Sequence, residues 1–177
     1  MCRCTRVRPT PTFAERCGLH DAARQRATDH TQTLIQAHGI DLVRFAWCDL
    51  HGMLRGKTLV ASAVAGAMQD GVGMVSTLLL KDTSDRTAYP VFEAGGAHLP
   101  GFEFGSNVML LADPTSFQRL PWADKTGWLL CQSWFADGKP VSIDTRRVLQ
   151  QALARLARRS GRPATAGVLW PHLTRET

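Results

Sequence analysis

From Ile40 to Cys48, Val43, Phe45 and Trp47 fall on one side of an extended chain, while Leu42, Arg44 and Ala46 fall on the other. A period of two predicts a half-buried β-strand. Asp49-Leu50-His51-Gly52 then reads as a four-residue turn, in which Asp can accept from backbone amides and Gly can take a positive φ. Met53–Leu59 is the expected partner strand. Ser62–Asp70 is Ala-rich and closes on Gly71, which predicts a short helix. Met74–Leu80 is too short for a helix and apolar enough for a central strand. Lys81 to Ser106 has scattered Gly and Pro and little periodicity, so a long irregular loop is expected.

Two further strands, Asn107–Ala112 and Thr126–Phe135, flank Leu120-Pro121-Trp122, and Ala136-Asp137-Gly138-Lys139 supplies the turn after the second. Trp122 and Trp128 are expected to anchor the long loop against the sheet, with a subunit interface as the alternative. Asp144 is a natural N-cap for a helix over Thr145–Ser160, where Val148, Leu149, Ala152, Leu153 and Leu156 make one apolar stripe. Near the start, Thr28 or Asp29 can cap a short helix that bears Leu34 and Ile35 and ends at Gly39. The pattern predicts an α+β fold: a small β-grasp-like sheet with a packed helix, followed by a further helix.

With 177 residues, 44% hydrophobic and 20% charged, the chain can bury a core and has an ordinary globular composition. It has no apolar run of membrane-spanning length and no secretory-type leader, so a cytoplasmic location is expected, with no membrane partner. The net charge of +6 would suit a nucleic acid, but its distribution argues otherwise. Residues 1–30 hold six Arg against three acids and residues 144–177 seven Arg against two, which leaves eight basic and ten acidic side chains between them. The central domain is slightly acidic, and no nucleic-acid partner is expected.

Five cysteines without an export signal read as reduced thiols. Cys48 and Cys131 sit in apolar runs and are expected to act as small buried hydrophobes. Cys2, Cys4, Cys17 and His20 have a spacing that could hold a soft metal, but the Arg, Pro and Thr residues between them favour a disordered basic extension over residues 1–28. His51 beside Asp49 could form an acid–base pair, though no nucleophile accompanies it. Arg55 and Lys57 alternate on a strand, where a solvated face is favoured over a phosphate site.

The order of motifs adds something that periodicity cannot. NVMLLADPTSFQRLPW from Asn107, then TGWLLCQSWFADGKPVSIDTRR ending at Arg147, resembles the small N-terminal β-grasp domain of the glutamine synthetase family. VRFAWCDLHGMLRGKTL, from Val43 to Leu59, is similar to that domain's first hairpin, and the likeness covers roughly Thr31 to Ala157. In style it is nearest to the glutamine synthetase-like and γ-glutamylpolyamine synthetase branch. The implied boundaries are a domain over 29–142, a helix opening the catalytic domain over 143–161, and an aberrant tail over 162–177.

The resemblance implies a glutamate–ammonia or glutamate–amine ligase of nitrogen metabolism and glutamine biosynthesis. Such enzymes use ATP and Mg²⁺ or Mn²⁺, because the phosphoryl oxygens must be neutralised beside a carboxylate. Family members begin their catalytic domain with a Gly-x-Glu-x-Glu strand, but after Gly167 the two Glu positions hold Leu169 and Pro171. On that ground the chain is expected to be a truncated, inactive fragment, its last residues read out of frame, binding neither ATP nor metal. The family's Asp-Gly-Ser-Ser loop falls near Gly73–Thr77, with Val75 in place of the acid, which leans toward amines larger than ammonia. Ser76, Thr77 and Asp82 are the expected contacts in this substrate loop, and no catalytic residue is assigned. Ring assembly in the family implies a homo-oligomer, and the alternative is a stand-alone module that docks onto full-length relatives.

Overall fold

A computed structural model of the chain describes residues 10–93 and 98–161. Its helices are α1 (Phe13–Arg16), α2 (Ala22–Ala37), α3 (Ala61–Asp70) and α4 (Thr145–Ser160). Its strands are β1 (Leu42–Cys48), β2 (Leu54–Val60), β3 (Val72–Val75), β4 (Asn107–Ala112), the two-residue β5 (Gln118–Arg119) and β6 (Thr126–Phe135). The sheet order is β2-β1-β6-β4-β3, with β5 on β6. The β1–β6 pair is parallel and the others antiparallel, so the sheet is mixed.

The ten residues of β6 let it serve β1 and β4 in turn, besides the short β5. Thr126–Leu130 pair with β1, and Cys131–Phe135 pair with β4. Lys57 on β2 donates through Nζ to the carbonyl of Gly73 on β3, so a single side chain reaches between the two outermost strands. The sheet is therefore a curled half-barrel with flanking helices, the α+β class expected from the sequence.

Val43, Phe45 and Trp47 on β1 join Val64 and Met68 of α3, Leu110 of β4 and Leu129 of β6 in the main core. The predicted alternation on β1 therefore holds from Leu42 to Phe45 and selects the face turned toward α3, while Ala46 on the other face is buried as well. α3 ends at Gly71, whose φ of +74° sends the chain back into β3.

The N-terminal stretch departs from the expected extension. α2 begins seven residues before Asp29, capped instead by Asp21, whose carboxylate accepts from the Arg24 amide at 2.7 Å. Arg24 is the physical reason that this helix extends and docks: its Nη2 donates to the carbonyls of Met68 (3.1 Å) and Ala112 (2.9 Å). Ahead of it, α1 has a capping box between Thr12 and Glu15, and its Phe13 and Ala14 pack on Leu111 and Trp134. Thus from Thr10 onward the segment is ordered by a second, smaller core on the opposite face of β4 and β6.

Two further expectations change. Met74–Leu80 is a strand only to Val75, after which Ser76–Leu79 wind into a 3₁₀ turn that buries Leu79 and Leu80. Trp122 is 57% exposed and does not anchor the loop; Leu120 is buried there instead. β4, β6 and α4 have the predicted bounds, and Gly161 ends α4 in the left-handed region. No helix among the described residues is long and apolar enough to cross a membrane.

Candidate functional site

A connected set of polar groups gathers where the β1–β2 turn meets the loop after the Ser76–Leu79 turn. The Asp49 side chain is 2% exposed. Its Oδ1 accepts from the amides of His51 and Met53, both at 2.9 Å, which closes the turn. Its Oδ2 accepts from Arg55 Nε at 2.9 Å, and Arg55 Nη2 continues to Asp85 at 2.7 Å. A single guanidinium therefore ties the hairpin to a loop thirty residues later. His51 Nε2 lies 2.7 Å from the Lys81 carbonyl, and Lys81 Nζ donates to the Asp85 carbonyl at 3.1 Å.

The electrostatics follow from these partners. Burial pushes the Asp49 carboxyl up, but the bonds from Arg55, His51 and Met53 outweigh it and hold it below its ordinary value. Asp85 and then Asp49 raise the Arg55 guanidinium. The Asp82 carboxyl is lowered, first by the Arg86 amide and then by the Ser84 hydroxyl, as it accepts from Ser84 N, Ser84 Oγ and Arg86 N at 2.9 Å each. Asp82 thus organises its own turn.

Each residue singled out from the sequence has a definite place. Ser76 is fully buried with an unpaired hydroxyl, and Thr77 is buried beside it. Asp82 lies at the loop surface, so the three are not gathered around one surface point. Val75 ends β3 opposite Asn107 with its side chain exposed. His51 and Asp49 form no acid–base pair: the carboxylate takes the His51 amide, while the imidazole turns to the Lys81 carbonyl. Arg55 and Lys57 lie on a largely exposed strand, as expected, and both also donate to protein acceptors. Asp85 and Lys81 were missed; the run of charges in Lys81-Asp82-Thr83-Ser84-Asp85-Arg86 facing an Arg-bearing hairpin was the available signal.

The described residues do not fit a metal–nucleotide centre: none of them form a group of three or more His, Cys, Asp or Glu that could hold a metal. Cys17 is free and half-buried, whereas Cys2, Cys4, Leu169 and Pro171 lie outside the described residues. Cys48 is only half-buried, in contrast to the buried Cys131, whose thiol is pushed up by burial.

No family model matches the chain. It is similar to the γ-glutamylanilide synthase of an Acinetobacter species, with 30% identity over 149 residues, 82% of this chain and 30% of that protein. It is also similar to the glutamate–isopropylamine ligase of a Pseudomonas species, with 27% identity over 67% of this chain and 25% of the relative. Human lengsin is 26% identical over 72% of this chain and 24% of its own length. Among solved structures, the GmaS/ADP complex superposes with a TM-score of 0.55 at 25% identity, over 73% of this chain and 26% of that one. The chain therefore spans about a quarter to a third of the length of these relatives.

Proposed function

Because the chain is a homologue of the glutamine synthetase family, related to its glutamate–amine ligases, we propose that it forms the β-grasp portion of such a ligase. In this reading its Gly73–Asp85 segment borders the amine side of the site. The alignment with γ-glutamylanilide synthase over most of this chain is the observation that carries it. ATP and Mg²⁺ or Mn²⁺ would activate the glutamate carboxylate in the complete enzyme. The described residues offer no fitting metal ligands, so no step of that chemistry is assigned to them. What they supply is a wall: the Asp49–Arg55–Asp85 clamp holds the hairpin and the loop at one spacing.

The amine is larger and less polar than ammonia. Val75, exposed at the end of β3, has no charge to attract ammonium. Assembly as a homo-oligomer in the cytoplasm belongs to the same proposal. The test is a chimera in which residues 29–161 replace the aligned part of the Acinetobacter γ-glutamylanilide synthase. It is expected to form γ-glutamyl amides from aniline or isopropylamine, and Val75→Asp is expected to move the preference toward ammonia. An assembled chimera that is inactive with every amine would overturn the proposal. A second reading is a stand-alone module docking onto full-length relatives. Co-elution of the 177-residue protein with such a relative would support it.

A further inference from the structure

Lys81–Thr87 folds into a small hairpin that is braced from within. Lys81 and Thr87 form an antiparallel bridge, the Asp82 amide donates to the Arg86 carbonyl at 2.8 Å, and the Asp85 amide donates to the Asp82 carbonyl at 3.0 Å. The Asp82 carboxylate takes the Ser84 and Arg86 amides and the Ser84 hydroxyl, and Asp85 turns the chain with a φ of +61°. Only Leu80 separates this hairpin from the Ser76–Leu79 turn, and the burial of Leu79 and Leu80 fixes its base. Among the described residues, two hydrogen bonds join it to the β1–β2 turn and strand β2: His51 meets the Lys81 carbonyl at the base, and Arg55 meets the Asp85 carboxylate at the tip.

Arg55 has the shape that its part requires. Its Nε is fixed on the buried Asp49 carboxylate, which itself closes the β1–β2 turn, so the guanidinium plane is anchored before it reaches the loop. From that plane Nη2 projects to Asp85 at 2.7 Å. A lysine would keep the charge, but one ammonium on a flexible stem lacks the planar fork that meets two carboxylates on two elements at set angles. The Asp85 side chain is 66% exposed, so its pair with Arg55 adds little to the stability of the whole fold. What the pair fixes is where the tip of the hairpin stands.

We propose that Arg55 is a positioning residue for amine selection: by holding Asp85 it sets the Lys81–Thr87 hairpin as a wall of the amine site, and so limits the bulk of the amine accepted. The inference rests on the reading of this chain as the β-grasp portion of a glutamate–amine ligase, in which Gly73–Asp85 borders the amine. Selection is then divided between two places. The uncharged Val75 gives ammonium no partner, whereas the anchored hairpin sets the width. Without the Arg55 link the tip would pivot about the buried Leu79 and Leu80, and the site would widen.

Two measurements test this. In the 177-residue protein, Arg55→Lys is expected to lower the ¹⁵N order parameters of the Thr83, Ser84 and Asp85 amides from about 0.85 toward about 0.6, while those of β1 and α3 hold. In the assembled chimera carrying residues 29–161, the same substitution should raise the ratio of kcat/KM for aniline to that for isopropylamine about fivefold, the size of one partly exposed ion pair. The change should come through the amine KM, with kcat and the KM values for glutamate and ATP held. Asp85→Asn should give the same shift and the double variant no more than either, because both break one link. Asp85→Glu keeps the pair and should keep the parent ratio. Unmoved order parameters, an unmoved amine ratio, additive effects in the double variant, or a fall in kcat shared by every amine would each overturn the positioning role and leave the ligase reading intact. A parent chimera that assembles but is inactive with every amine overturns the ligase reading itself, and the positioning role falls with it.

Discussion

Asp49 shows why a single side chain in a turn can matter more than its exposed neighbours. Its carboxylate accepts three hydrogen bonds and is nearly shut off from water, so removing its charge leaves the Arg55 Nε without its partner. Asp49→Asn is expected to cost roughly 2–3 kcal/mol, as for loss of one member of a largely buried pair, measured by urea unfolding at neutral pH. Since folding lowers this carboxyl, its contribution is full above the unfolded value of about 4 and fades as pH falls through the lower folded value. The cost of Asp49→Asn should therefore shrink toward zero in strong acid; a cost that stayed constant with pH would refute the assignment. Gly101 makes a different point. It has a φ of +90°, and an added Cβ would fall 2.5 Å from the Phe135 ring, so Gly101→Ala is expected to destabilise by about 1–3 kcal/mol in thermal unfolding.

At the scale of elements, two short pieces hold larger ones in place. α1 spans only four residues, yet Phe13 covers Leu111 and Trp134, and its amide donates to Asp70 of α3 at 3.3 Å. Phe13→Ala should cost roughly 3–4 kcal/mol, the usual loss for a buried ring, and in hydrogen exchange α1 and the first turn of α2 should lose protection before β1 does. Asp144 joins α4 to β6 through one carboxylate. Asp144→Ala removes both a helix cap and the acceptor of a buried strand amide, so about 2 kcal/mol is expected together with release of the start of α4. An unchanged exchange rate for α4 amides in that variant would show that the other contacts suffice.

For the molecule as a whole, the expectation for activity comes from the sequence, where the two Glu positions that the resemblance implies hold Leu169 and Pro171. The 177-residue protein alone should form no γ-glutamyl amide from glutamate, ATP and an amine, as followed by phosphate release and mass spectrometry. Product formation dependent on added Mg²⁺ would overturn that. The curled sheet leaves β2 and β3 as outer strands joined by a lysine side chain, an arrangement that keeps both edges polar at their approach.

Much of this was legible in the chain. Alternation placed Val43, Phe45 and Trp47 in the core, turn chemistry placed Asp49 and Gly52, and the Asp144 cap and Gly161 bounded α4 because caps and periods are local properties. The order of the Asp-Pro-Thr, Leu-Pro-Trp and Asp-Gly-Lys motifs identified the family, since specific residues in a fixed sequence carry information that no single element does. Other features depended on which surfaces meet. Arg24 found carbonyl acceptors on α3 and β4 and so ordered a stretch whose composition reads as a tail. The 3₁₀ turn at Ser76 replaced the end of a strand because burying Leu79 and Leu80 against the core outweighed extending a sheet edge. The α4 stripe, exposed among the described residues at Val148, Leu149 and Leu156, is the clearest case: a sequence shows that a helix has an apolar face, but only the contacts of Arg146 with Asp113, Gln150 with Gln132 and Arg147 with Trp134 decide where that face points.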